Sequence, residues 1–147
     1  MITVRRAKQD DLFEFVVLVK KFANEAYKQF PVDKELTSQN FLQGIADPNF
    51  IFMVAETEGE VVGIFVGCAN APLFSTTRTA VELGFYMHPD HRDGKTALKM
   101  MNEFEKWAQS QGCKSVTMVD IHTHADLSTF YTRKGYELKE KSYMKEF

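Results

Sequence analysis

The apolar positions of this chain change period several times, and each change marks an element. Ile2 to Arg5 alternates as a short strand, and Gln9-Asp10-Asp11 then supplies N-cap chemistry for a helix. Leu12, Phe15, Val16, Val19, Phe22, Ala23 and Ala26 recur at helical spacing, which predicts a long helix ending near Phe30-Pro31. Asp33 to Ala46 reads as a second helix carrying Leu36, Phe41, Leu42 and Ile45, and Asp47-Pro48-Asn49 breaks it. Two strands follow, Phe50 to Thr57 and Glu60 to Ala69, joined by a hairpin turn at Glu58-Gly59.

Asn70 to Thr79, with Pro72 and a Ser/Thr cluster, reads as a loop, and Ala80 to Met87 as a third apolar strand. A helix from about Lys95 to Gln111 gathers Ala97, Met100, Met101, Phe104, Trp107 and Ala108 on one face, and Gly112 stops it. Ser115 to Ile121 reads as a strand, Asp126 to Lys134 as a short helix closed by Gly135, and Tyr136 to Phe147 as one or two more strands. Hairpin-linked strands followed by a β-α-β crossover predict an α/β (α+β) fold. It would be one domain over residues 1–147, a mixed sheet of about six or seven strands with helices on both faces.

Composition narrows the function classes. The 147 residues are 44% hydrophobic and 13% aromatic, enough for one real core, and the net charge is −2 with the basic residues scattered. That balance argues against a general nucleic-acid binder. No apolar stretch approaches membrane-spanning length and the N-terminus has no signal-like apolar region, so a soluble, cytoplasmic protein is expected. Cys68 and Cys113, each in or beside an apolar segment, read as buried free thiols.

The chemistry concentrates in His88 to Met101, H-P-D-H-R-D-G-K-T-A-L-K-M-M. Gly94-Lys95-Thr96 imitates the end of an ATP-binding P-loop, but the first glycine of that motif would fall at Pro89. Proline there has no N–H to offer a phosphate and cannot take a positive φ. A different phosphate cradle needs no such glycine. A strand-to-helix loop aims backbone N–H groups and the helix dipole at a pyrophosphate. Arg92 and Lys95 would add charge, Thr96 a hydroxyl, Gly94 close backbone approach and Ala97 space. A plain surface loop with solvated cations is the remaining alternative.

The spacing from Arg92 through Ala97 resembles the R/Q-x-x-G-x-G/A acetyl-CoA pyrophosphate loop of the GNAT N-acetyltransferase superfamily. V-E-L-G-F-Y-M-H-P before it resembles that family's fourth strand, and F-Y-T-R-K-G-Y-E, Phe130 to Glu137, its F-Y-x-x-x-G-F signature. Lys95 stands at the motif's usual central glycine, and Gly94 comes one position early. His124 stands where many members carry an asparagine that touches the cofactor. The R-D-G-K-T-A loop and the helix end after it are also similar to bacteriophage-encoded acetyltransferases, for which the compartment would be the host cytoplasm.

The resemblance implies acetyl-CoA as co-substrate, held by Tyr86, Met87, His88, Arg92, Asp93, Gly94, Lys95, Thr96, Ala97 and His124. The acceptor would be a primary amine on a small molecule or a protein. It also implies a backbone N–H near Tyr86 to His88 for the carbonyl oxygen and Tyr131 as the acid that protonates the departing thiolate. Glu82, inside an apolar strand, is the candidate base, since burial raises a carboxyl's pKa. Regular alternation would place Glu82 with Gly84 and Tyr86 on one face, which leaves a solvated glutamate as the alternative. Gly84 marks a possible irregularity in that strand. His88-x-x-His91 and His122-x-His124 make a poor case for a metal, and none is expected. A homodimer through the C-terminal strands is conceivable.

Overall fold

The computed structural model describes residues 1–121 and 126–147. Its elements are β1 (Thr3–Arg6), α1 (Leu12–Ala26), α2 (Lys34–Ala46), β2 (Phe50–Thr57), β3 (Glu60–Asn70), β4 (Thr79–Met87), α3 (Gly94–Ser110), β5 (Val116–Thr117) and α4 (Ser128–Arg133). The sheet runs β1-β2-β3-β4-β5, antiparallel until the final β4–β5 pair, which is parallel.

The run Ile51-Phe52-Met53-Val54-Ala55 is buried throughout because both faces of β2 are covered. Ile51, Met53 and Ala55 pack with Phe65, Met100, Phe104 and Trp107 under α3. Phe52 and Val54 point the other way, to Phe15, Leu18 and Phe41 of α1 and α2. Glu58 and Gly59 both take positive φ, 51° and 81°, which makes the β2–β3 turn tight and matches the strand twist. Gly67 is small for a different reason: a Cβ there would lie 2.6 Å from the Phe104 ring.

Capping follows local sequence. Asp33 accepts the Leu36 N–H at 3.0 Å to start α2, and Asp93 accepts the Thr96 N–H at 2.6 Å to start α3. Arg5 ties β1 to its surroundings through the buried Asp11, at 2.8 Å, and Glu56. That guanidinium holds the Asp11 carboxyl below the ordinary carboxylate range.

Four expectations are corrected. The first helix ends at Ala26, because Tyr27 leaves helical dihedrals (φ −135°) to set its ring against Phe22 and Phe30. The fifth strand is only Val116–Thr117, and among the described residues the sheet has five strands where six or seven were expected. Residues 136–147 form no strand; Leu138, Tyr143, Met144 and Phe147 are exposed, so the C-terminal strands invoked for a dimer are missing. Of the two thiols, Cys113 is buried but Cys68 is only partly so. No helix among the described residues is long and apolar enough to cross a membrane.

Candidate functional site

The site lies where the sheet comes apart. Among the described residues β4 and β5 pair only at Ala80–Val116 and Val81–Thr117, and past Val81 no described strand pairs with the β5-side edge of β4. Val119 continues the β5 chain there, and two side chains satisfy its backbone. The Glu82 carboxylate accepts its N–H at a long 3.4 Å, and the Tyr131 hydroxyl donates to its carbonyl at 2.9 Å. Both candidate catalytic residues are thus anchored to one residue, Glu82 at its N–H and Tyr131 at its carbonyl. With Phe22, Phe85, Val119, Ile121 and Leu127 they line a cavity of about 40 Å³.

Irregularity in β4 explains how Glu82 gets there. In the ladder with β3, Gly84 faces Val66 while Glu82 faces Gly67, so Leu83 is an extra residue. The alternation expected for a regular strand fails at that bulge. Gly84 and Tyr86 stay on the α1 side, Leu83 is half exposed, and Glu82 joins Phe85 in lining the cavity. Glu82 is 6% exposed, which rules out a solvated strand glutamate. Burial pushes its carboxyl up to about 7, while the Val119 N–H pulls the other way. Burial, together with the negative charge of Glu82 and Asp120, pushes the Tyr131 phenol well above its ordinary value and keeps it a neutral donor.

The backbone N–H groups expected near Tyr86 to His88 divide by strand side. His88 donates to Val62 at 2.8 Å, and Tyr86, two residues back opposite Ile64, has the same orientation toward β3. Alternation turns the Met87 amide, alone of the three, to the other edge of β4. The Tyr86 phenol faces α1 and donates to Glu25 at 3.0 Å.

The loop after β4 differs in detail from a bare phosphate cradle. Pro89 lies in a 3-10 turn, Pro89–His91, and the His88 ring accepts the Asp90 N–H at 3.3 Å. Gly94 opens α3 with no atom near where its Cβ would be, and Lys95 is exposed beside it. Thr96 is buried, and Ala97 partly so. Two residues expected at the pyrophosphate are already engaged: Asp93 caps α3, and Arg92 reaches back to the Met87 carbonyl at 2.9 Å and to Glu25 at 2.7 Å. Hydrogen bonding from Thr96 holds the Asp93 carboxyl below its usual range. His122 and His124 lie outside the described residues. Among the described residues no group of three His, Cys, Asp or Glu side chains is arranged to hold a metal ion.

Residues 16–136 match the model of the acetyltransferase (GNAT) family. The chain belongs to that family. Solved structures share the GNAT fold over essentially the whole length. A transcriptional regulator from Bacillus halodurans C-125 superposes with a TM-score of 0.82 at 20% identity, covering 100% of both chains. A predicted acetyltransferase from Clostridium acetobutylicum, solved with acetyl-CoA, gives 0.80 at 15% identity, covering 99% of this chain and 96% of its own. An aminoglycoside antibiotic 6'-N-acetyltransferase from Acinetobacter baumannii gives 0.78 at 14%, covering 100% and 99%. In this GNAT chain, Phe22 and Val119 line the cavity and Glu25 engages Tyr86 and Arg92, three placements that the sequence did not single out. Phe22 and Glu25 sit three apart on α1, a spacing that places them together but says nothing of what they face.

Proposed function

We propose that this GNAT chain is an acetyl-CoA-dependent N-acetyltransferase that passes the acetyl group directly to a primary amine in a ternary complex. The observation that carries this reading is the convergence of Glu82 and Tyr131 on one small cavity at the open edge of β4. Acetyl-CoA fits the residues present: the unpaired edge of β4 offers backbone groups to its amide-bearing arm, and the start of α3 faces its phosphates. It supplies an activated carbonyl and a thiolate leaving group.

This chain's own residues do the rest. Glu82, with a carboxyl near 7, takes a proton from an amine whose reference pKa is about 10.4, directly or through one water. The Met87 N–H, fixed in the strand, receives the charge developing on the carbonyl oxygen without reorganising. Tyr131, kept neutral by burial, gives its proton to the departing sulfur. Neither Cys68 nor Cys113 lines the cavity, which supports direct attack over a cysteine-bound intermediate.

The test is thiol release from acetyl-CoA over a panel of amines, beside melting temperatures with acetyl-CoA, CoA and Mg-ATP. Acetyl-CoA and CoA should raise the melting temperature and Mg-ATP should not. No shift with millimolar acetyl-CoA would sink the reading. Tyr131→Phe should lower turnover by about 100-fold or more with CoA affinity retained, and unchanged turnover would remove its acid role.

One observation favours a second reading, a catalytically silent CoA-binding module. Asp93 and Arg92 are both occupied within the protein, which weakens the phosphate cradle. Binding without thiol release for any amine would establish it.

A further inference from the structure

An acid at Tyr131 works only if its hydroxyl keeps one direction, yet the residue rides on a weak element. α4 has six residues, far short of the roughly 12–15 at which a helix stands alone, and Tyr131 is its one buried side chain. Ties from outside α4 must therefore set its direction.

The helix ends in a Schellman cap. The Tyr136 N–H donates to the Tyr131 carbonyl at 3.0 Å, and the Gly135 N–H to the Thr132 carbonyl at 3.0 Å. Gly135 takes the left-handed φ of 97° that such a cap needs. The turn folds the chain back so that the Tyr136 ring packs against the Tyr131 ring, with centroids 5.9 Å apart. The F-Y-T-R-K-G-Y spacing is thus a mechanical unit: the acid, the glycine that ends its helix, and the aromatic ring that leans on it.

One side chain of α3 meets this unit on both sides of Gly135. Lys134 places Nζ 2.6 Å from Oε2 of Glu105, the two side chains being 19% and 30% exposed. Burial, and then the charge of Glu105, push the Tyr136 phenol well above its ordinary value, so it stays neutral and can donate to that carboxylate. The Tyr136 hydroxyl is buried and has no other partner among the described residues. Glu105 itself follows Phe104, which is fully buried in the α3 core, so its backbone is well fixed.

Building on the N-acetyltransferase reading above, we propose that Glu105 is a positioning residue for the acid step. By holding Lys134 and Tyr136 it fixes the end of α4 against α3 and aims the Tyr131 hydroxyl. Glu105 does not line the cavity and acts only through Tyr131. α3 also begins at the loop expected to meet the co-substrate's phosphates, so acid and co-substrate are set against one rigid helix.

Glu105→Gln keeps the shape and removes the charge. Thiol release at saturating acetyl-CoA and amine should fall by about tenfold or more, since a misplacement of about 1 Å is costly to catalysis. KM for the amine and Kd for CoA should stay as in the wild type. In a Tyr131→Phe background the same substitution should cost nothing further, because no hydroxyl is left to aim. A purely structural role would lower turnover alike in both backgrounds. Equal losses in the two, or wild-type turnover in Glu105→Gln, overturn the proposal.

A second measurement needs no acetyl transfer. Amide hydrogen exchange at Tyr136, whose N–H closes the cap onto Tyr131, should quicken by about tenfold in Glu105→Gln, while Phe65 and Phe104 in the core keep their protection. Unchanged exchange at Tyr136 overturns the proposal even if turnover has fallen. Faster exchange at all three amides, the mark of general loosening, overturns it too. A wild type that released no thiol with any amine would instead strike the N-acetyltransferase reading, and the exchange rates would still decide whether Glu105 holds α4.

Discussion

Replacing Glu82 by glutamine removes a buried charge while leaving an oxygen to accept the Val119 N–H. In the folded protein the carboxyl titrates at about 7, against an ordinary value of 4.5. Between those values the folded chain keeps a proton that the unfolded chain has lost, so wild-type stability falls as pH rises. The group contributes fully below pH 4.5, and the loss is complete above about pH 7. At 1.36 kcal/mol per unit the whole span corresponds to about 3 kcal/mol. For a chain of this length that is roughly 6–12 °C in melting temperature. The side-chain amide does not titrate, so Glu82→Gln should gain on the wild type by about this amount between pH 4.5 and 8. The assay is a set of melting curves for both proteins across that range in one buffer series. Parallel dependences on pH would refute the argument, because they would mean Glu82 ionises in the fold as easily as in water. The same titration predicts that wild-type turnover rises with pH through about 7, as the carboxylate form becomes available.

Asp93→Asn keeps an oxygen for the Thr96 N–H but removes a negative charge from the start of α3. CoA should bind several-fold tighter, and an unchanged Kd in calorimetry would place the phosphates elsewhere. Gly67→Ala puts a Cβ 2.6 Å from the Phe104 ring and 3.3 Å from Ile51. It should destabilise by about 1–3 kcal/mol, read as a lower denaturation midpoint, and a wild-type midpoint would show that the ring moves aside freely. Phe104→Ala, in the centre of the α3 core, should cost about 3–5 kcal/mol, and less than 1 kcal/mol in the same assay would contradict its burial.

The middle of the sheet was legible because its signals are local and redundant. Ile51 to Ala55 and Val61 to Phe65 are apolar runs flanking a Glu-Gly turn, and α3 carries its core stripe from Met100 to Ala108. Glu82 and Tyr131 were singled out as candidates, one as a carboxylate in an apolar strand and the other through a recognisable motif, and the fold brings the two to one cavity. The bulge at Leu83, by contrast, comes from a mismatch between two strands; Gly84 only hinted at it. The fifth strand stops early because side chains take over the Val119 backbone. Glu25 was invisible for a related reason. Its partner Arg92 is 67 positions away, and nothing in a helical glutamate announces a distant guanidinium. In the last twelve residues, Leu138, Tyr143 and Met144 suggested strands but find no apolar surface to cover, so the pattern there misled.

The short β4–β5 junction gives the molecule a seam. On one side lies an antiparallel raft, β1 to β4, whose long ladders and two packed faces make its bonds fail together or not at all. On the other, Met118 still packs against the α3 core, and the described chain beyond it is tied by individual side-chain links, among them Glu82 and Tyr131 to Val119, and Lys134 to Glu105. Tyr131 sits beyond the seam and Glu82 at its lip. Mild heat or denaturant should therefore silence the protein while most of its sheet still stands, and loss of function should run ahead of loss of fold.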